Sequence, residues 1–224
     1  RKESSAASDV YKRQGIMSER LSAGIESLAL LGNTIATGAI LFVMITILAP
    51  VSGAHFNPAV SLVMRLRGNL NNVELSTYLL SQIAGSVFGT WVAHFMFDVS
   101  IIQFSSKIRT GSPIYIAEFV ATFGLIFTIL LGSRYSPRKV PALVGLYITG
   151  AYWFTSSTSF ANPAVTFART LTDTFSGINF SDLPFFILFQ ILGGVSALAV
   201  CNLIENGRKC CLLYTSDAAD DSLR

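Results

Sequence analysis

Charge is scarce in this chain. Of its 224 residues only 13% are charged, against 51% hydrophobic, and the mean hydropathy is +0.55. That balance excludes an ordinary soluble domain, whose composition runs to about a quarter charged residues. The net charge of +3 is too small to argue for a nucleic-acid partner. Cysteine is scarce as well. Cys201, Cys210 and Cys211 form neither a disulfide framework nor a metal-ligand spacing, and Cys201 reads as an apolar-helix residue. No nucleophile–base pair and no metal constellation occurs, so no enzyme, metal or cofactor is expected.

What the chain has in abundance is apolar length. Five segments approach the ~20 residues that cross a bilayer as a helix: Leu28–Leu48, Leu75–Phe97, Ile114–Gly132, Pro141–Ser157 and Leu183–Ile204. A multi-pass membrane protein of the cell's inner (plasma) membrane is expected.

The tripeptide Asn-Pro-Ala occurs twice, as Asn57-Pro58-Ala59 and Asn162-Pro163-Ala164, 105 residues apart. Asn is a good N-cap, Pro fits the first helical position, and Ala propagates the helix. Each copy therefore starts a helix whose first amide groups and positive dipole end face whatever lies ahead. The runs that follow, Val60–Arg67 and Val165–Leu171, are too short to span. Three spans separate the motifs (Leu75–Phe97, Ile114–Gly132, Pro141–Ser157). An odd number makes the half-helices enter from opposite faces, with their N-termini meeting near the midplane. Inverted halves with interrupted helices mark a channel or carrier site.

The ends read differently. Ser4 to Gln14 matches the translation of a transposon-type sequencing adapter, and Cys211 to Asp220 matches its reverse complement. Residues 1–14 and 211–224 are therefore expected to be foreign, leaving 15–210 as the channel domain. In the second half, Glu118 opens a span 44 residues before Asn162. The matching first-half span would fall at or before the adapter-like stretch. A protein of six spans with the first largely missing is expected, and such a fragment is expected to be inactive.

Loop charge sets orientation. Arg65, Arg67, Arg134, Arg138, Lys139, Arg208 and Lys209 fall on one side, and Arg20, Lys107, Arg109 and Arg169 on the other. The positive-inside rule makes the first side cytoplasmic. Gly85 and Gly89, and Gly193, Gly194 and Ala197, suit close helix packing.

With Ser52-Gly-Ala-His-Phe-Asn-Pro-Ala-Val60 and Ser159-Phe-Ala-Asn-Pro-Ala-Val165, the chain resembles the major intrinsic protein family of aquaporins and glycerol facilitators. The resemblance covers about residues 15–206. It implies an all-α, aquaporin-like bundle of six spans plus two re-entrant half-helices, one pore per protomer, and a homotetramer. It implies passive conduction of water or small uncharged solutes, without a cofactor. Asn57 and Asn162 would offer amide donors at the pore centre, beside Pro58, Ala59, Pro163 and Ala164. The paired helix N-termini would oppose cations.

The chain departs from the family at the outer constriction. Water-selective members carry Arg after the second motif, where this chain has Val165. Counting back without gaps puts the other filter positions at Thr37, Gly150 and Ser159, which predicts a wide filter lacking its fixed charge. Arg169, one turn on, could reach back toward the lumen, meet headgroups, or pair with Asp173. Such a filter resembles a bacterial subgroup associated with arsenous acid, so glycerol-like solutes and As(OH)3 are expected, with water secondary. The resemblance makes Glu118 a support for the re-entrant loop. His55 is expected to line the cytoplasmic half of the pore and His94 to sit at the interface. Tyr152, Trp153 and Phe154 are expected mostly in the bundle or facing lipid. Alternative readings are a secondary transporter with inverted repeats, a strict water channel, and a structural protein with a closed pore.

Overall fold

The computed structural model describes the backbone of residues 16–221 and the side chains of residues 16–206. The stretch 1–14 lies outside the described residues, and no side chain of 211–224 is described. Arg208 and Lys209 likewise fall among the undescribed side chains.

Residues 16–21 are helical. Then follow α1 (Glu26–Ser52), α2 (Pro58–Leu66), α3 (Asn72–Met96), α4 (Ser112–Tyr135), α5 (Val140–Phe154), α6 (Pro163–Arg169) and α7 (Leu183–Asp221). No strand occurs among the described residues. Among the described residues, three helices are long and apolar enough to cross a membrane: α1, α4 and the first part of α7. At 25 residues α3 is long enough too, but it buries Gln82, Ser86, Thr90 and His94.

The helix limits follow local chemistry. Asn71 and Glu74 form a capping box that starts α3. Gly53, at φ 73°, takes the left-handed conformation that ends α1. The span read as Pro141–Ser157 stops at Phe154. Beyond it Thr158 and Ser159 turn to positive φ, 63° and 47°, which no right-handed helix accommodates. At 15 residues α5 is about 22 Å long, so extended backbone and half-helices complete this part of the bundle.

The tightest pairings are α4 with α7 and α1 with α5. Both rest on missing side chains. A Cβ on Gly193 would collide with the Phe119 carbonyl of α4, and one on Gly145 would lie 2.8 Å from the Gly38 carbonyl of α1. The outer surface is apolar, with Leu80, Phe88, Phe95 and Leu146 well exposed. Such a surface suits acyl chains and not water.

Charge marks the two ends. Glu205 of α7 lies 3.8 Å from Arg67, beyond α2, and 3.9 Å from Arg134 of α4. At the opposite end the 98–111 segment is tied to the segment after α6: Ser105 N–H donates to the Thr170 carbonyl and Lys107 Nζ to the Phe175 carbonyl. His94, in the last turn of α3, is fully buried at this end of the bundle. Its ring nitrogens meet the Ile101 carbonyl at 2.8 Å and Thr172 Oγ1 at 3.0 Å, because the segments it joins fold over it.

Gly193→Val should lower the thermal midpoint of the detergent-solubilised protein by several degrees, the shift expected of an overpacking cost of about 1–3 kcal/mol. Gly150→Ala should barely move it, since a Cβ there meets only Phe154 Cε1 at 3.9 Å.

Candidate pore and its paired asparagine motifs

Asn57 and Asn162 each cap a half-helix in the same way. Their backbones are extended, with φ of −152° and −155°. Asn57 Oδ1 accepts from Ala59 N at 2.9 Å, and Asn162 Oδ1 from Ala164 N at 3.0 Å. With each oxygen committed to its own helix, each amide nitrogen points across the junction. Asn57 Nδ2 donates to the Ala161 carbonyl at 2.7 Å, and Asn162 Nδ2 to the Phe56 carbonyl at 2.8 Å. Each asparagine thus binds the residue before the other, and the two helix N-termini abut. An amide nitrogen carries two hydrogens, so each keeps one beyond this clasp.

The approach loops share a backbone pattern. Ala54 and Phe56, three and one residues before Asn57, have φ of 47° and 48°; Ser159 and Ala161, at the matching places, both have 47°. Left-handed backbone at a non-glycine residue costs roughly 1–2 kcal/mol, so other contacts must hold it. Glu118, fully buried in α4, accepts from Phe160 N through Oε1 and Ala161 N through Oε2, both at 2.8 Å. Gln190 of α7 donates to Glu118 Oε2 at 2.6 Å and Thr166 Oγ1 at 2.9 Å. Gln82 repeats the second of these bonds in the first half, donating to Ser61 Oγ at 3.1 Å. Ser61 and Thr166 both lie four residues past their asparagine. Neither glutamine was singled out from sequence, although a lone amide in an apolar helix is itself a signal.

A cavity of about 490 Å³ runs from the Ser133–Val140 end to the clasp. Its lining combines apolar side chains, Leu41, Ile45, Leu125, Val144 and Ile148 among them, with His55, Asn57, Ser159 and Asn162. His55 stacks on Tyr78 at 4.8 Å between ring centroids and meets Ser61 Oγ at 3.2 Å. The cavity ends against Tyr152, Ser159, Phe160 and Val165.

Of the four filter positions counted from sequence, Ser159 and Val165 line this end. Thr37 is buried on the cavity face of α1, one turn beyond Leu41, and donates to the Asn33 carbonyl. Gly150 is a correction. It lies on the exposed stripe of α5 with Leu146, Trp153 and Phe154. Helical residues step by about 100°, so with Ile148 and Tyr152 facing the cavity, position 150 faces away from it. Tyr152, 2% exposed, takes the inward place, while Trp153 and Phe154 face outward.

Arg169 also departs from two of its expected surroundings. It is 2% exposed and meets neither solvent nor Asp173. Its Nη2 donates to Tyr152 Oη at 3.3 Å, and its guanidinium carbon sits 4.0 Å from the Phe160 ring centroid. Asp173 instead accepts from Ser106 N and Oγ, which hold its carboxyl below the usual range. Arg109, from the 98–111 segment, reaches the same Phe160 ring at 5.0 Å and donates to the Gly177 and Phe175 carbonyls. Burial, and next the Arg169 charge, lower its pKa to about 10, so it stays protonated at neutral pH.

Paired capping asparagines at abutting half-helices inside an apolar bundle define a membrane channel. The chain belongs to the major intrinsic protein family, whose model matches residues 7–156. It is a passive channel for small solutes and water and not an enzyme. It is 56% identical over 186 residues to aquaglyceroporin AqpS of Rhizobium meliloti (strain 1021), covering 83% of this chain and 79% of that protein. Nodulin-26 of Glycine max is 24% identical over 182 residues, 78% of this chain and 65% of its own. The X-ray structure of the aquaglyceroporin from Plasmodium falciparum superposes with a TM-score of 0.65 at 19% identity, over 90% of this chain and 96% of that one.

Glu118→Gln should lower both the thermal midpoint and solute flux of the full-length channel. A glutamine has one oxygen where two loop amides need acceptors, and an unmet buried donor costs about 1–3 kcal/mol. Unchanged stability and flux would remove Glu118 from the account.

Proposed function

We propose that this channel conducts small uncharged polyhydroxylated solutes, glycerol-like molecules and arsenous acid among them, with water as a secondary permeant. The observation that carries the reading is Val165 at the outer end of the cavity, where a strict water channel would need a narrowing, charged side chain. A lining that mixes apolar side chains with polar groups suits molecules with a carbon or arsenic centre and several hydroxyls. The free hydrogens of Asn57 and Asn162 act as donors to the passing solute, and Ser159 lines the outer end of the cavity beside them.

In this reading Ser159 and Val165, with Tyr152 and Phe160, form the outer constriction, and Thr37 lies a turn beyond it. His55 belongs to the inner half of the path. Pro58, Ala59, Pro163 and Ala164 start the half-helices whose dipoles oppose cations. The names of AqpS and of the Plasmodium falciparum protein, both aquaglyceroporins, agree with a solute wider than water. No aspartate or glutamate lines the cavity, which favours passive flow over proton-coupled transport. The protein acts as a homotetramer in the plasma membrane, and 15–210 constitutes the channel proper.

Val165→Arg tests the wide filter. In proteoliposomes of the full-length channel, glycerol and arsenous acid flux should fall about tenfold or more, equivalent to about 1.4 kcal/mol of added barrier, while water flux falls far less. Equal losses for all permeants, or fast water flux with no solute flux in the unaltered channel, would contradict the reading.

A further inference from the structure

The loss of an arginine at position 165 suggests a constriction without fixed charge. The buried surroundings of Arg169 argue otherwise. Helical side chains lean toward the N-terminus of their helix. A long side chain at 169 therefore covers the turn that holds Val165. It reaches Tyr152 Oη and the face of Phe160, and both of those residues line the end of the cavity. The cation thus sits directly behind the cavity wall.

Two contacts accommodate the buried guanidinium there. The Phe160 ring offers its π face, and the Tyr152 hydroxyl accepts a hydrogen bond. No carboxylate lies within ion-pair distance of it among the described residues. Its Nε is buried with no hydrogen-bond partner. Glu118, the buried carboxylate of this region, is held by the Phe160 and Ala161 amides and by Gln190 and not by Arg169, so the guanidinium keeps a field at the adjoining lumen that the low-dielectric surroundings screen little. Arg109, over the same ring, adds a second positive charge on the outer side, offset in part by Asp182, which accepts from its backbone N–H.

We propose that Arg169 is the specificity-determining cation of the outer constriction: its charge, displaced one helical turn from position 165 and held behind Tyr152 and Phe160, excludes cations without narrowing the pore. Steric and electrostatic selection are then separated. Val165 leaves room for a wide neutral solute, and Arg169 keeps potassium and sodium ions out of the same opening. The inference rests on the reading of the cavity as the conducting path.

The test measures potassium permeability and glycerol flux side by side in proteoliposomes of the full-length channel. Arg169→Gln removes the charge. Arg169→Met does so with an apolar side chain of similar length, a replacement that buried charges often tolerate. In either variant potassium permeability should rise about tenfold or more, with glycerol flux kept within about twofold of the unaltered channel. Arg169→Lys should keep potassium out. Adding Val165→Arg to Arg169→Met should restore exclusion and cut glycerol flux. A folded Arg169→Met channel that passes glycerol but no more potassium than before would overturn the inference and leave the solute-channel reading intact. Failure of the unaltered channel to pass glycerol would instead contradict that reading itself.

Discussion

The structure turns on two hydrogen bonds that cross one junction. Asn57 and Asn162 each use their oxygen to cap their own half-helix and their nitrogen to hold the carbonyl before the other. A buried hydrogen bond contributes about 0.5–1.5 kcal/mol net, but breaking one leaves a stranded polar group at about 1–3 kcal/mol. The clasp is therefore worth more as a constraint than as a source of stability. It fixes two positive helix ends against each other, an arrangement that electrostatics alone would oppose. It also demands four left-handed residues in the loops leading to it, at 54, 56, 159 and 161.

Everything near the junction serves that geometry. Glu118 receives the amides of Phe160 and Ala161, so the second loop keeps its shape without glycine. Gln190 and Gln82 tie the first turn of each half-helix to a neighbouring span. Gly193 lets α7 close on α4, where Glu118 sits, and Gly145 lets α5 close on α1. The result is a cavity lined by mostly apolar side chains with a few polar groups, bounded by Tyr152, Phe160 and Val165. Solute size is then set by short-range packing at this end, and charge by groups behind it.

Much of this was legible in the sequence, for identifiable reasons. The two motifs carry their own helix-starting chemistry, so the half-helices, their opposed entry and their meeting point could be read without coordinates. Glu118 was read as a loop support from the family resemblance, and a carboxylate in an apolar helix does need such partners. Gly150 was misplaced because an ungapped count assigns a position and not a direction, and at 100° per residue an error of two positions turns the side chain to lipid. Arg169 left alternatives open because its side chain is long enough to reach any of them. Only the packing of α5 brings Tyr152 to its guanidinium. The left-handed loop residues were invisible, since alanine, phenylalanine and serine advertise no such conformation. His94 was read from its place near a helix end, while the segments that cover it come from residues 101 and 172.

The central claim is that the two asparagines act as one unit. A double-mutant cycle tests it most directly: the unfolding free energy of the full-length channel in detergent, measured for Asn57→Ala, Asn162→Ala and the pair together. If both bonds maintain one junction, the first loss should release much of what the second bond contributes. The account predicts that the double variant loses less than the sum of the singles, with a coupling of about 1 kcal/mol or more. Losses that add within about 0.3–0.5 kcal/mol would mean two independent helix caps, and the clasp would not be what organises this pore.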